Sequence, residues 1–231
     1  MKTHIEYVQE WLPDLLQKKI LDLGSGLGAV LIEIAKKGGN AVGIETSLEY
    51  VEITKARAKE AGVIVDVRQG KGEELPFDDN QFDFVNMTEV IEHVIDPEKV
   101  LRQAYRVLKH GGQLYVSVPN RFAFKDHHYD LIFVNWLPRS LSQTYIGIFG
   151  EHKNYSKTGQ IGLERLDEMH YYTFGAIKRL CEKVGFKVTD IRIIKIKKRY
   201  PSKIVQTASI FIYKFASLFY FESFHLQLIK D

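Results

Sequence analysis

Ile20-Leu21-Asp22-Leu23-Gly24-Ser25-Gly26-Leu27-Gly28 is the stretch on which the reading of this chain turns. Its first residues make a short buried strand, and glycines at every second position then break it. From Ala29 to Lys37 the apolar residues Val30, Leu31, Ile34 and Ala35 recur at helical spacing, so strand, turn and helix form one unit. Glycine at such a turn lets the backbone approach a ligand, because no Cβ stands in the way. The helix that follows starts with N–H groups that have no partner within the helix. A nucleotide-like ligand is the first expectation.

Outward from this stretch, composition sets the frame. With 231 residues and 45% hydrophobic content the chain is long enough for one large domain with its own core. A net charge of +3 provides no whole-molecule field for nucleic acid. The single Cys181 excludes an internal disulfide and fits a reducing cytoplasm. The opening MKTHIEYVQEWL has no apolar signal core, so a cytoplasmic protein is expected rather than an exported one.

Before the glycine turn, Ile5, Val8, Trp11, Leu12, Leu15 and Leu16 predict a short amphipathic helix, interrupted near Pro13. After it, the pattern alternates: strands at Ala41–Ile44, Val63–Arg68, Phe82–Met87 and Gln113–Val118, with helices from Thr46-Ser47 to Ala61 and from Pro97 to Leu108. Strands alternating with helices predict a parallel sheet covered on both faces, with the ligand beyond the carboxyl ends of the strands. Gly24, Glu45, Gly72 and Thr88 fall at such ends. Arg121 to Tyr172 has little periodicity but many aromatics and histidines, and reads as a functional cap. Thr173–Val184 returns to helix, Phe186–Ile196 alternates like a strand, Ser202–Phe221 is an aromatic helix, and Ser223–Lys230 forms a last, antiparallel strand. The expected fold is a doubly wound, Rossmann-like α/β sheet of seven strands. It makes a single domain whose core spans 19–120 and 173–231, with the cap inserted at 121–172.

The glycine pattern alone fits G-x-G-x-x-G/A, with Glu45 at the distance of a ribose-binding acid, and so leaves a nicotinamide-dependent oxidoreductase open. The surrounding motifs separate the readings. Leu21 to Gly28 resembles motif I of the class I S-adenosylmethionine-dependent methyltransferases, and Glu45 matches their ribose-binding acid. Glu73-Glu74-Leu75-Pro76-Phe77, Phe82-Asp83-Phe84-Val85, Glu89-Val90-Ile91-Glu92-His93-Val94 and Leu108-Lys109-His110-Gly111-Gly112 are also similar to that family, especially its small-molecule branch. A dehydrogenase is not expected to carry the last three. The resemblance implies methyl transfer from S-adenosylmethionine, with S-adenosylhomocysteine as product, to a small-molecule, glycan or lipid-linked acceptor and more readily to oxygen than to nitrogen or carbon. A catalytically degenerate cofactor-binding module, supported only by Lys71, is the remaining alternative.

The resemblance implies a cofactor site made of Asp22, Gly24, Ser25, Gly26, Glu45, Thr46, Gly72, Glu73, Met87, Thr88 and Glu89. Asp22 either braces the turn or receives the ammonium of the cofactor. Many relatives have an acid where this chain has Lys71, and lysine accepts no hydrogen bond. Adenine is then left to backbone groups or to Glu73. For the acceptor side the polar cluster His127, His128 and Asp130 is the expected catalytic group, with His93, Asn120, Arg121, Trp136, Arg139 and His170 as expected substrate contacts. Nothing in the chain completes a metal site with His127, His128 and Asp130, so no metal is expected. Lys195, Lys197, Lys198, Arg199 and Lys203 precede the aromatic helix, and two readings of 195–221 stay open. One is packing on the sheet or on a second copy of the chain, as in a homodimer. The other is peripheral contact with the inner face of a membrane.

Overall fold

The strand expected at the glycine turn, β1 (Lys19–Leu23), lies inside a seven-stranded sheet, third from one edge, in this computed structural model. The structure describes residues 3–126, 128–149, 166 and 169–231. In chain order the elements are α1 (His4–Gln9), β1, α2 (Ala29–Lys36), β2 (Asn40–Glu45), α3 (Leu48–Glu60), β3 (Asp66–Gln69), β4 (Phe82–Met87), α4 (Pro97–Val107) and β5 (Leu108–Pro119). The cap contributes β6 (Lys125–Asp126), β7 (Leu131–Ile132) and α5 (Arg139–Phe149). The chain returns through α6 (Phe174–Val184), β8 (Phe186–Asp190), α7 (Ile191–Arg199), α8 (Lys203–Ala216) and β9 (Ser223–Lys230).

The strand order is β3-β2-β1-β4-β5-β9-β8, parallel except for β9, which pairs antiparallel with both β5 and β8. The expected seven-stranded Rossmann-like sheet with an antiparallel last strand is therefore present. From β1 the chain winds outward through β2 and β3, then crosses back to β4 on the other side of β1. That reversal opens a crevice at the carboxyl ends of β1 and β4, where ligands of such sheets bind.

Side-chain alternation sorts the core to two faces. Leu21 and Leu23 of β1 and Leu114, Val116 and Val118 of β5 join the larger cluster, under α4 and α6. Ile20 and Tyr115 point the other way, into a cluster with Ile5, Val8, Trp11 and Leu15 from the chain's start. Helix starts are capped in the sequence itself: Ser47 Oγ accepts from Tyr50 N–H at 3.3 Å, Asp96 from Lys99 N–H at 3.0 Å and Thr173 from Ala176 N–H at 3.2 Å.

Several boundaries differ from the expectation. The first helix is only His4–Gln9, and beyond Pro13 the chain makes a single 3-10 turn at Leu15–Gln17. The third strand starts at Asp66, leaving Val63 to Val65 outside it. The fifth extends back to Leu108. The largest correction is at Phe186–Ile196, where the strand stops at Asp190 and Ile191–Arg199 is helix α7. The run Ile191-Arg-Ile-Ile-Lys-Ile suits both periods. Asp190 decides it, because its carboxylate caps the helix by accepting from Arg192 N–H at 2.9 Å, while Ile191 and Ile194, one turn apart, pack together into the second cluster.

Candidate cofactor and acceptor site

Three glycines shape the turn after β1, all with positive φ: Gly24 at 73°, Gly26 at 52° and Gly28 at 73°. A Cβ on Gly24 would lie 2.4 Å from Val90 Cγ2, so the turn is pressed against the segment that follows β4. A Cβ on Gly26 would meet nothing within 4 Å, so the tip of the turn faces open space.

Two buried acids flank this turn. Asp22 is 2% exposed; its Oδ1 accepts from Asn86 Nδ2 at 2.7 Å, and its Oδ2 has no hydrogen-bond partner among the described residues. Burial pushes its carboxyl up to about 6, with Glu45 adding in the same direction and the Asn86 bond opposing. The nearby Ser25 Oγ is likewise buried without a partner. An incompletely satisfied buried carboxylate is costly, and a cationic ligand group relieves that cost. Glu45 ends β2 at 8% exposure. Its Oε2 accepts from Gly26 N–H at 2.8 Å, while Oε1 accepts from Ser47 N–H at 3.0 Å and the Thr46 hydroxyl at 3.1 Å. A carboxylate has about four acceptor positions. Glu45 therefore braces the glycine turn, holding it to the end of β2. Binding both ribose hydroxyls requires it to give up one of these bonds.

The remaining expected cofactor residues divide by environment. Gly72 is buried between Leu23 and Val100, each with an atom 3.2 Å from where its Cβ would be. Glu73 Oε1 accepts from Asp96 N–H at 3.5 Å, and Lys71 is exposed. Met87 is fully buried in the larger core. Thr88 donates to Asn86 Oδ1 at 3.0 Å and lies 3.4 Å from His4 Nε2, which itself sits 2.8 Å from Asn86 Oδ1. Glu89 adopts a φ of 55°, with its N–H donating to Ser117 Oγ at 2.8 Å. Asn86, His4 and Ser117 complete this network and escaped the sequence reading. Asn86 had a visible signal, an amide inside an otherwise apolar strand. His4 had none, since it is brought in from the far end of the chain.

On the acceptor side, the expected residues separate. Asp130 has a φ of 55° in the β6–β7 turn and pairs with Lys125 at 2.5 Å. His127 lies outside the described residues. His128 does reach the crevice: its ring is 5.8 Å from that of His93, and its Nε2 is 4.0 Å from Glu92 Oε1. Its Nδ1 is 3.0 Å from the Tyr171 hydroxyl, which donates to Asp126 Oδ2 at 2.8 Å. His170 joins from the other side, its N–H donating to the Glu92 carbonyl at 2.9 Å.

Asn120 is used structurally. Its side chain donates to the carbonyls of Ser217 and Phe221 and accepts from Phe122 N–H, tying the cap's base to the end of α8. Arg121 donates to the Asn135 carbonyl and Trp136 Nε1 to the Phe122 carbonyl. Arg139 lies over the Tyr171 ring, 5.1 Å from its centre. The cap has a small core of its own, made of Tyr129, Leu131, Val134, Ile146 and Leu166. The two arginines and Trp136 thus make contacts within the cap.

Comparison with known proteins follows the same outline. Residues 21–116 match the family model described as a methyltransferase domain. Among curated proteins, the ubiquinone biosynthesis O-methyltransferase of Pseudomonas aeruginosa is 39% identical over 111 residues, 46% of this chain and 47% of that protein. The chain thus spans about half the length of the curated relatives it matches. Among solved structures, an S-adenosylmethionine-dependent methyltransferase from Mesorhizobium loti superimposes with a TM-score of 0.61 at 14% identity, covering 97% of this chain and 96% of that one. One from Methanosarcina mazei gives 0.58 at 20% identity, covering 95% and 96%. These likenesses carry the fold. The methyltransferase-domain match spans the glycine turn, Glu45 and the segment after β4.

Proposed function

We propose that this chain transfers the methyl group of S-adenosylmethionine to an oxygen of a small-molecule acceptor by direct displacement. The observation that carries the reading is the pair of buried carboxylates on either side of an open glycine turn. Asp22 has an oxygen left for the ammonium of the amino-acid end, and Glu45 faces the diol. A dinucleotide would instead bring its diphosphate to this turn, beside the incompletely bonded Asp22 carboxylate, which repels it when ionised. The methyltransferase-domain match supports the same assignment.

In the reaction the carbon–sulfur bond of the sulfonium breaks as the carbon–oxygen bond forms, the acceptor hydroxyl gives its proton to water or a nearby base, and S-adenosylhomocysteine remains. Much of the rate in such a displacement comes from alignment of nucleophile, methyl and sulfur. The acceptor lies toward Glu89–His93, His128 and His170, on the cap side of the crevice. Calorimetry with S-adenosylhomocysteine and NAD tests the reading. We expect a measurable heat with the first and none with the second; the reverse result sinks it.

A second proposal concerns location. Among the described residues no helix is long and apolar enough to cross a membrane. Yet α8 turns its apolar stripe outward: Ile204 is 83% exposed, Phe211 74% and Phe215 67%. The Phe219 carbonyl accepts from Phe124 N–H at 2.7 Å, and the Phe219 ring lies 5.7 Å from Trp136, so the stripe continues onto the cap. An apolar face this extended marks an interaction site. We propose that it rests on the inner face of an anionic membrane, with the protein in the cytoplasm and Lys197, Arg199 and Lys203 at the edge. Two of the five expected cations serve the fold instead: Lys195 pairs with Glu10 at 2.5 Å and Lys198 donates to the Glu10 carbonyl at 3.1 Å.

A further inference from the structure

We infer that Glu92, His93 and His128 form a binding site for a divalent first-row transition ion of the Zn2+ type. One donor atom from each of the three lies within 4.8 Å of the other two. The Glu92 carboxylate is the centre of the group: its Oε1 is 3.9 Å from His93 Nε2 and 4.0 Å from His128 Nε2. These separations exceed a direct hydrogen bond. Two donors sharing one tetrahedral ion at about 2.1 Å each stand roughly 3.4 Å apart, so the two Glu92 pairs need to close by only about half an ångström, within side-chain reach. Two imidazoles and one carboxylate suit a borderline ion and are a poor set for Mg2+, which demands oxygen.

The surroundings are those of a built site. Glu92 is 0% exposed, and the His128 side chain 15%. His128 is oriented from behind, with Tyr171 O–H between its Nδ1 and Asp126 Oδ2, and Asp126 Oδ1 in turn accepts from the His128 and Tyr129 N–H groups at 2.9 and 3.2 Å. A carboxylate-anchored partner on the remote ring nitrogen is the usual support of a ligating histidine, because it fixes the tautomer that presents the other nitrogen. The two halves of the site come from different parts of the chain: Glu92 and His93 from the segment after β4, His128 from the cap. An ion therefore ties the cap to the sheet. Three protein donors leave a coordination position open, and Glu92 stands two residues along the chain from Val90, which packs on Gly24. An acceptor hydroxyl ligated there would lose its proton more readily. That last point rests on the methyl-transfer reading; metal binding itself does not.

The test is binding of Zn2+ and Co2+ to the full chain after stripping with a chelator. One equivalent should bind by calorimetry, and the Co2+ form should show the visible absorption of a four- or five-coordinate ion. His93→Asn and His128→Asn should each weaken binding at least tenfold, Tyr171→Phe about tenfold, and His110→Asn not at all, all with the far-ultraviolet dichroism of the parent. If a variant misfolds, histidine side-chain nitrogen shifts in the unaltered protein report the same thing, with His93 and His128 moving on Zn2+ addition. No binding at tens of micromolar Zn2+, or binding that leaves both histidines unmoved, overturns the site. Zn2+ binding without any S-adenosylhomocysteine binding would keep it and remove the methyl-transfer reading.

Discussion

At the scale of the residue, Asp22 carries a prediction about pH and Glu45 one about charge. Burial raises the Asp22 carboxyl from 3.8 to about 6, so its ionisation costs the ligand-free protein stability as pH rises across that window, and the cost persists above it. A cationic ammonium prefers the ionised form. Affinity for S-adenosylhomocysteine should therefore fall as pH drops below about 6, and Asp22→Asn should remove the step; a flat pH profile in the parent refutes the ammonium role. Glu45→Gln keeps the shape and loses the charge. It should weaken S-adenosylhomocysteine by about 1.5–3 kcal/mol, the range for hydrogen bonds to a charged group, with a melting curve reporting separately on the brace to Gly26. These two residues were legible in the sequence because motif position and strand ends mark them. Asn86 and His4, which complete the polar network around Asp22, were half legible at best, since a contact across eighty residues leaves no local pattern.

At the scale of the element, α7 and α8 show how one residue chooses between two periods. Asp190 caps α7 and also accepts from the Tyr213 hydroxyl of α8, which fixes the two helices to the end of β8. Tyr213→Phe leaves the buried Asp190 short of one donor and should cost about 1.5–3 kcal/mol in denaturant unfolding, with little change in cofactor affinity. The outward stripe of α8 makes a prediction of its own. The chain should float with anionic liposomes at low salt, less so with Phe211→Ser and Phe215→Ser together, and not with neutral ones. Absence of flotation with a dimer in sedimentation would assign the face to a second copy instead.

At the scale of the whole molecule, the last strand is not peripheral. β9 lies between β5 and β8, pairing with β5 from Ser223 to Ile229 and with β8 from Leu226 to Lys230, and places Phe224, Leu226 and Leu228 in the larger core. Ending the chain at Glu222 would expose two strand edges and that core face together. We expect loss of a cooperative thermal transition, monitored by dichroism, rather than a modest drop in melting temperature. The cap, in contrast, is closed at its base by Arg121 N–H donating to the Tyr172 carbonyl and Tyr172 N–H to that of Pro119, with its own apolar centre. Its described residues also reach outward, Trp136 to the Phe219 ring and His128 to the ring of His93.

The sequence by itself determined the alternating parallel sheet, the glycine turn and the two acids beside it, because backbone freedom, hydrophobic period and strand-end position are local properties. Tertiary structure alone decided that Glu45 braces the turn it faces, that Asn120, Arg121 and Arg139 serve the cap, that Ile191–Arg199 coils, and that His128 meets Glu92 and His93. Those outcomes depend on which partners distant segments bring within a few ångströms, and no window along the chain contains both members of such a pair.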